Sequence, residues 1–181
     1  MPTSDALYGL FPEDPDQPEL STVTPEEMPE SYRRLLVHSH HMTVTVEEYY
    51  GQPVNVKVLD SVQHGQTYGR KILLSLKDTD EVVQFGIVRV NLGALSETVR
   101  SQIVAGQTPL GRVLIQNNVL RSIQPTEFFR VALGPKLSGW FGLDAPRTTY
   151  GRLGVIFTGG VPAVEVLEIL APLPATRTPA Y

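Results

Sequence analysis

Residues Arg70–Leu92 read RKILLSLKDTDEVVQFGIVRVNL, and the fold class follows from this stretch. Arg70 to Lys77 and Val82 to Leu92 are rich in aliphatic and β-branched residues, the composition of strands. The turn between them, Lys77-Asp78-Thr79-Asp80, is polar and short. A short connection joins antiparallel neighbours, because a parallel pair needs a crossover of about a dozen residues or more. The stretch therefore reads as an antiparallel hairpin.

Upstream, Val54, Val56 and Val58 alternate with polar neighbours, the pattern of a half-buried strand. Ser31 to Ser39 reads as a helix with Tyr32, Leu35 and Leu36 on one face. A second short helix is expected after Met42, with Thr43 or Thr45 as cap, Thr45-Val46-Glu47-Glu48 fitting a capping box, and Gly51 as its end. Downstream, Ser96 caps a helix that runs to Ala105 and stops at Gly106. Thr108-Pro109 starts another, which reaches about Asn117. Val119 to Ile123 and Glu127 to Leu133 read as strands, and residues 134–149 as a loop. Gly151 to Thr158 and Ala163 to Ala171, joined by Gly159-Gly160, form a closing hairpin. Strands joined mostly by short turns, with helices inserted, give an α+β domain with a mainly antiparallel sheet.

The chain of 181 residues is long enough for one domain with a proper core. Residues 1–30 hold six prolines and read as an acidic, extended N-terminal arm. The domain proper spans 31–172, and 173–181 reads as a Pro-containing tail. No apolar run approaches the length of a membrane span, and no leader pattern opens the chain. There is no cysteine, which removes thiolate nucleophiles, disulfides and Cys-based metal sites. A cytoplasmic setting is the simplest expectation.

The formal net charge of −4 conceals an asymmetry. Eight acids and no Lys or Arg lie in residues 1–30, leaving 11 acids and 15 bases beyond. Eleven of those bases are Arg, the side chain suited to bidentate capture of a carboxylate or phosphate. The expected partner is a small anion; no basic run or Arg-aromatic array points to nucleic acid. His38, His40 and His41 are too close together to converge on a metal from one helix end, so no metal is expected. Phosphate-loop and nucleophile-elbow patterns are absent.

Three segments taken in order carry a family resemblance. The first is Leu35-Leu36 with Met42-Thr43, ahead of the Val54–Leu59 strand. The second is Thr108-Pro109-Leu110-Gly111-Arg112. The third is Tyr150-Gly151-Arg152, then Gly159-Gly160-x-Pro162, Val166-Leu167-Glu168 and Ala171-Pro172. Over residues 31–172 the chain resembles the chorismate pyruvate-lyase family, and most of all its mycobacterial, archaeal and cyanobacterial subgroup. The resemblance implies conversion of chorismate to 4-hydroxybenzoate and pyruvate, without cofactor, in a buried site under a flap. The product would feed quinone synthesis, plastoquinone in the cyanobacterial type.

The same resemblance implies site residues. Glu168 matches the catalytic acid. On periodicity alone, Glu168 shares a face with Val164, Val166 and Leu170, and Glu165 takes the opposite face. Met42 matches a pocket methionine. Arg152 is a candidate carboxylate clamp. Arg89 is the candidate substrate arginine in its strand, although the family position falls on Ile87. Leu110 and Gly111 offer backbone at a helix start, with Arg112 and Arg121 as further candidates. Two other readings stay open. One is a non-catalytic effector-binding domain of the same fold, as in bacterial transcription regulators, against which stands the lack of a preceding winged helix. The other is a related lyase with a different hydroxybenzoate product.

Overall fold

A computed structural model describes residues 2–12 and 17–174. Seven strands form one antiparallel sheet: β1 (Glu19–Val23), β2 (Val54–His64), β3 (Thr67–Leu76), β4 (Val82–Asn91), β5 (Arg121–Ala132), β6 (Thr148–Thr158) and β7 (Val161–Leu170). Their order across the sheet is β1-β5-β6-β7-β4-β3-β2. Helices α1 (Ser4–Tyr8), α2 (Glu30–Leu36), α3 (Met42–Tyr50), α4 (Glu97–Ala105), α5 (Leu110–Gln116) and α6 (Pro135–Trp140) cover both faces. This is the expected α+β class, an antiparallel sheet with inserted helices.

The quoted hairpin forms as read: Leu73 pairs with Phe85, Ile72 with Gly86 and Arg70 with Val88. Alternation then sorts the side chains of β4. Phe85 and Ile87 join Leu73, Leu167 and Ile169 in a core on one face, under α1 and α6. Gly86 and Val88 turn to the other face, under α2 to α5. Ser96 caps α4 by accepting from Val99 N, and Gly51 and Gly106 end α3 and α4 in the left-handed conformation at φ 70° and 68°.

Several local readings are corrected. The N-terminal arm packs on the domain in its described parts. Leu7, Tyr8 and Phe11 are buried against the sheet, and β1 pairs with β5 along the edge. Its prolines interrupt the chain, but its apolar residues still have a surface to cover. Of the expected tail, residues 175–181 lie outside the described residues, as do 13–16 of the arm. The two strands expected around Pro125 are one, β5, with a register shift between Pro125 and Glu127 that accommodates the proline. Residues 135–140 form α6 rather than loop, with Pro135 at the first turn. Helix α3 starts at Met42, so Thr43 and Thr45 are inside it and the expected box does not form. Helix α5 begins one residue later than read, with Pro109 at the cap.

Candidate functional site

A narrow cavity of about 50 Å³ lies between the sheet and the starts of α3 and α5. Its floor is Gly86, paired with Ile72 on β3 and Glu168 on β7. A Cβ at Gly86 would come within 3.3 Å of both Ile72 Cδ1 and Leu167 O. A strand glycine of this kind leaves the backbone open to close approach. Met42, Leu110 and Gly111 form the cover, and His41 closes one side. His41 packs so closely on Gly111 that a Cβ there would sit 3.0 Å from the imidazole carbon Cγ.

Glu168 lines this cavity, with its side chain 14% exposed. Its register partner on β6 is Arg152, which is 2% exposed. Arg152 Nε donates to Glu168 Oε2 at 2.7 Å. Its Nη1 donates to Leu36 O and His38 O, each at 3.0 Å, and Nη2 to His40 O at 3.2 Å. Four of its five N–H groups are thus committed. Gly151 makes this possible, since a Cβ there would lie 2.6 Å from Glu168 O and push β6 and β7 apart. Arg152 therefore clasps the loop between α2 and α3 onto Glu168, where the sequence reading had it clamp a ligand.

The cavity's arginine is one the sequence reading did not select. Arg70 on β3 is 1% exposed and opposes Val88. Its Nη1 donates to Ile103 O at 3.0 Å, and it hydrogen-bonds Tyr68. Its Nε has no partner, and among the described residues no carboxylate pairs with it. Burial holds its pKa below the usual arginine value, with Tyr68 acting in the opposite direction. A buried guanidinium without an anion is costly, so the site is electrostatically incomplete. Alternation in the sequence puts Arg70 on the face of Ile72 and Leu74, but does not tell that this face is the cavity's.

The structure separates two other candidates from the cavity. Arg89 is in phase with Phe85 and Ile87, so it emerges on the opposite face of the sheet and pairs there with Glu165. An arginine at that position cannot reach the space above Gly86. Arg112 pairs with Glu47, which also accepts from Val54 N at 2.9 Å, and so links α5 to α3 and β2. Met42, Leu110, Gly111 and Glu168 do meet in the cavity.

The three histidines have separate surroundings. His38 Nε2 lies 2.7 Å from Leu35 O, and its ring stacks on His40 at 5.4 Å. Burial, and secondly Arg152, lower the His38 pKa. His41 is 7% exposed, and its Nε2 accepts from Arg121 Nε. Burial, then Arg121 and Arg152, lower its pKa to about 4, so at neutral pH the ring is uncharged. His41 also faces an outer groove of about 760 Å³ lined by Val44, Leu120 and Arg121 among others. Among the described residues, no group of three or more His, Asp or Glu side chains converges as a metal site would. No described helix is long and apolar enough to cross a membrane.

The architecture places the chain among proteins with the chorismate lyase-like fold, in which helices cover an antiparallel sheet. Among solved structures, PhnF from Mycobacterium smegmatis is similar at 10% identity, over 76% of this chain and 66% of that one, with a TM-score of 0.58. A ligand-binding domain assigned to a GntR-family transcriptional regulator from Bordetella bronchiseptica matches at 12% identity over 65% and 85%, TM-score 0.49. The C-terminal domain of the histidine utilization repressor from Pseudomonas syringae pv. tomato matches at 14% over 69% and 99%, TM-score 0.45. At these identities the likeness is one of fold. Neither a family model nor a curated protein matches this sequence.

Proposed function

We propose that the cavity above Gly86 binds a small ring carboxylate, and that the chain acts there as a chorismate pyruvate-lyase. The observation that carries the binding reading is Arg70. It is a buried cation with a free Nε and no carboxylate partner among the described residues, aimed at a space that Glu168 also lines. A ligand carboxylate supplies the missing charge. The walls contributed by Met42, Ile72, Leu110 and Val166 are apolar, which suits the faces of a six-membered ring.

The chemistry asks little of the protein. The ring C–O bond to the enolpyruvyl oxygen breaks, the neighbouring ring carbon loses a proton, and the departing enol takes one up to become pyruvate. Aromatisation drives the step. The protein holds the ring by its carboxylate and manages the proton. In this reading Glu168 manages the proton and Arg152, which donates to its carboxylate, keeps it in position. A ring does not fit within about 50 Å³, so entry requires the starts of α3 and α5 to part from the sheet.

A second reading is binding without turnover. A ligand-binding domain and the C-terminal domain of a repressor are among the solved structures that resemble this chain, and binding alone would already satisfy the unpaired Arg70. Incubation of the purified protein with chorismate, followed by mass spectrometry, separates the two. Release of 4-hydroxybenzoate and pyruvate supports the lyase. Saturable binding of chorismate or 4-hydroxybenzoate with no product supports the effector domain. Another hydroxybenzoate as product assigns a related lyase.

A further inference from the structure

A second buried polar atom in the cavity has no partner. Gln84 on β4 is 3% exposed, and its Oε1 accepts no hydrogen bond. It lies between Leu74 on β3 and Leu170 on β7, which are 3% and 1% exposed. An amide oxygen held among leucines and left unpaired is unfavourable for folding. A leucine or methionine would fill the position without that penalty. The side chain is on the cavity face, in phase with Gly86 and Val88.

Register gives the cavity a direction. Val88 pairs with Arg70, Gly86 with Glu168, and Gln84 with Leu170. Along β4 the order is therefore cation, carboxylate, amide, with the glycine floor in the middle. At the usual rise of a strand, the Arg70 and Gln84 rows are separated by roughly 13 Å. A benzoate ring with its carboxylate on Arg70 and a hydroxyl at the far side spans that interval once both side chains reach inward. Glu168 then stands beside the ring rather than at its end.

We propose that Gln84 determines specificity: its Oε1 accepts a hydrogen bond from a ring hydroxyl opposite the carboxylate held by Arg70. This rests on the ring-carboxylate reading of the cavity and adds which substituent the protein reads. A site built to accept a hydroxyl discriminates against the analogue lacking it, because only the hydroxylated ligand satisfies the buried acceptor.

The test is a binding panel of benzoate, 3-hydroxybenzoate and 4-hydroxybenzoate against the wild type, Gln84→Leu and Gln84→Met, with thermal unfolding of each unliganded protein. The wild type should prefer 4-hydroxybenzoate to both others by at least tenfold. In both variants that preference should fall to within threefold, with benzoate affinity held and the unliganded melting temperature equal or higher. A preference for 4-hydroxybenzoate that survives in either folded variant overturns the proposal. Unliganded variants that melt well below the wild type give Gln84 a structural role and also overturn it. If the wild type binds benzoate but shows no preference, Gln84 is not a reader and the cavity reading stands. If it binds none of the three, the cavity reading falls and takes this inference with it.

Discussion

Arg152 and Glu168 face each other directly across the β6–β7 ladder, and the guanidinium donates Nε–H to the carboxylate at 2.7 Å. The same guanidinium holds the carbonyls of Leu36, His38 and His40. One buried side chain thus joins the acidic group of the cavity to the loop that leads into its cover. Arg152→Met should destabilise the protein by about 3–5 kcal/mol, because it leaves Glu168 unpaired and three carbonyls short of a donor. Adding Glu168→Gln to that variant should restore part of the loss. Urea unfolding checks both, and a single variant as stable as the wild type would show that the clasp contributes nothing.

The imidazole of His41 gives the fold an acid-sensitive step. Burial first, and the cations Arg121 and Arg152 after it, hold its pKa at about 4, against an ordinary value of 6.5. The folded pKa lies below the unfolded one, so on acidification the unfolded chain takes up the proton first. The contribution is fully present above pH 6.5 and is lost progressively as pH falls toward 4. The gap corresponds to at most about 3 kcal/mol. His38, lowered chiefly by burial, adds in the same direction. His41→Asn should flatten the fall in unfolding free energy between pH 7 and 4.5 relative to wild type. Parallel profiles for the two proteins would remove His41 from the account.

Glu168→Gln separates binding from chemistry. The amide keeps an oxygen for Arg152 but has no carboxylate proton to give or take. Under the lyase reading, turnover of chorismate should fall by about 10²–10⁴-fold, with 4-hydroxybenzoate affinity changed only a few-fold. Steady-state rates beside titration of the product measure the two effects. Undiminished turnover assigns the proton to another group.

Much of this architecture was legible because one face of each strand is buried. The alternation of Ile72, Leu74, Gly86 and Val88 sets which residues look into the cavity, and Ser96, Gly51 and Gly106 mark helix ends by local chemistry. Glu168 was placed correctly on its strand face by the same periodicity. Arg89 and Arg70 show where the reading stopped. Both are arginines in apolar strands, and only the pairing register of β3, β4 and β7 tells that Arg70 meets the cavity while Arg89 meets Glu165 on the other side. Register is a property of several strands together. The fate of Arg152 was equally hidden, because its carbonyl partners come from a loop more than a hundred residues away. The N-terminal segment misled through its prolines, whose effect on the chain is local. The burial of Leu7 depends on the distant β4 and β7.

That burial has its own consequence. Leu7 is fully buried against the face of the sheet opposite the cavity, together with Phe85, Ile87 and Leu167. Leu7→Ala should cost about 2–5 kcal/mol, as large an effect as a central strand position. A change under about 0.5 kcal/mol in chemical denaturation, the size of a surface substitution, would show that Leu7 adds nothing to the core.

The central claim is that Arg70 waits for an anion. Titration calorimetry of 4-hydroxybenzoate into the wild type and Arg70→Met tests it most directly. The wild type should bind, and the variant should lose about 2–5 kcal/mol of affinity, at least thirtyfold, while remaining folded and no less stable unliganded, since a buried unpaired charge has gone. Equal affinities in the two proteins, or no binding to the wild type, would contradict it.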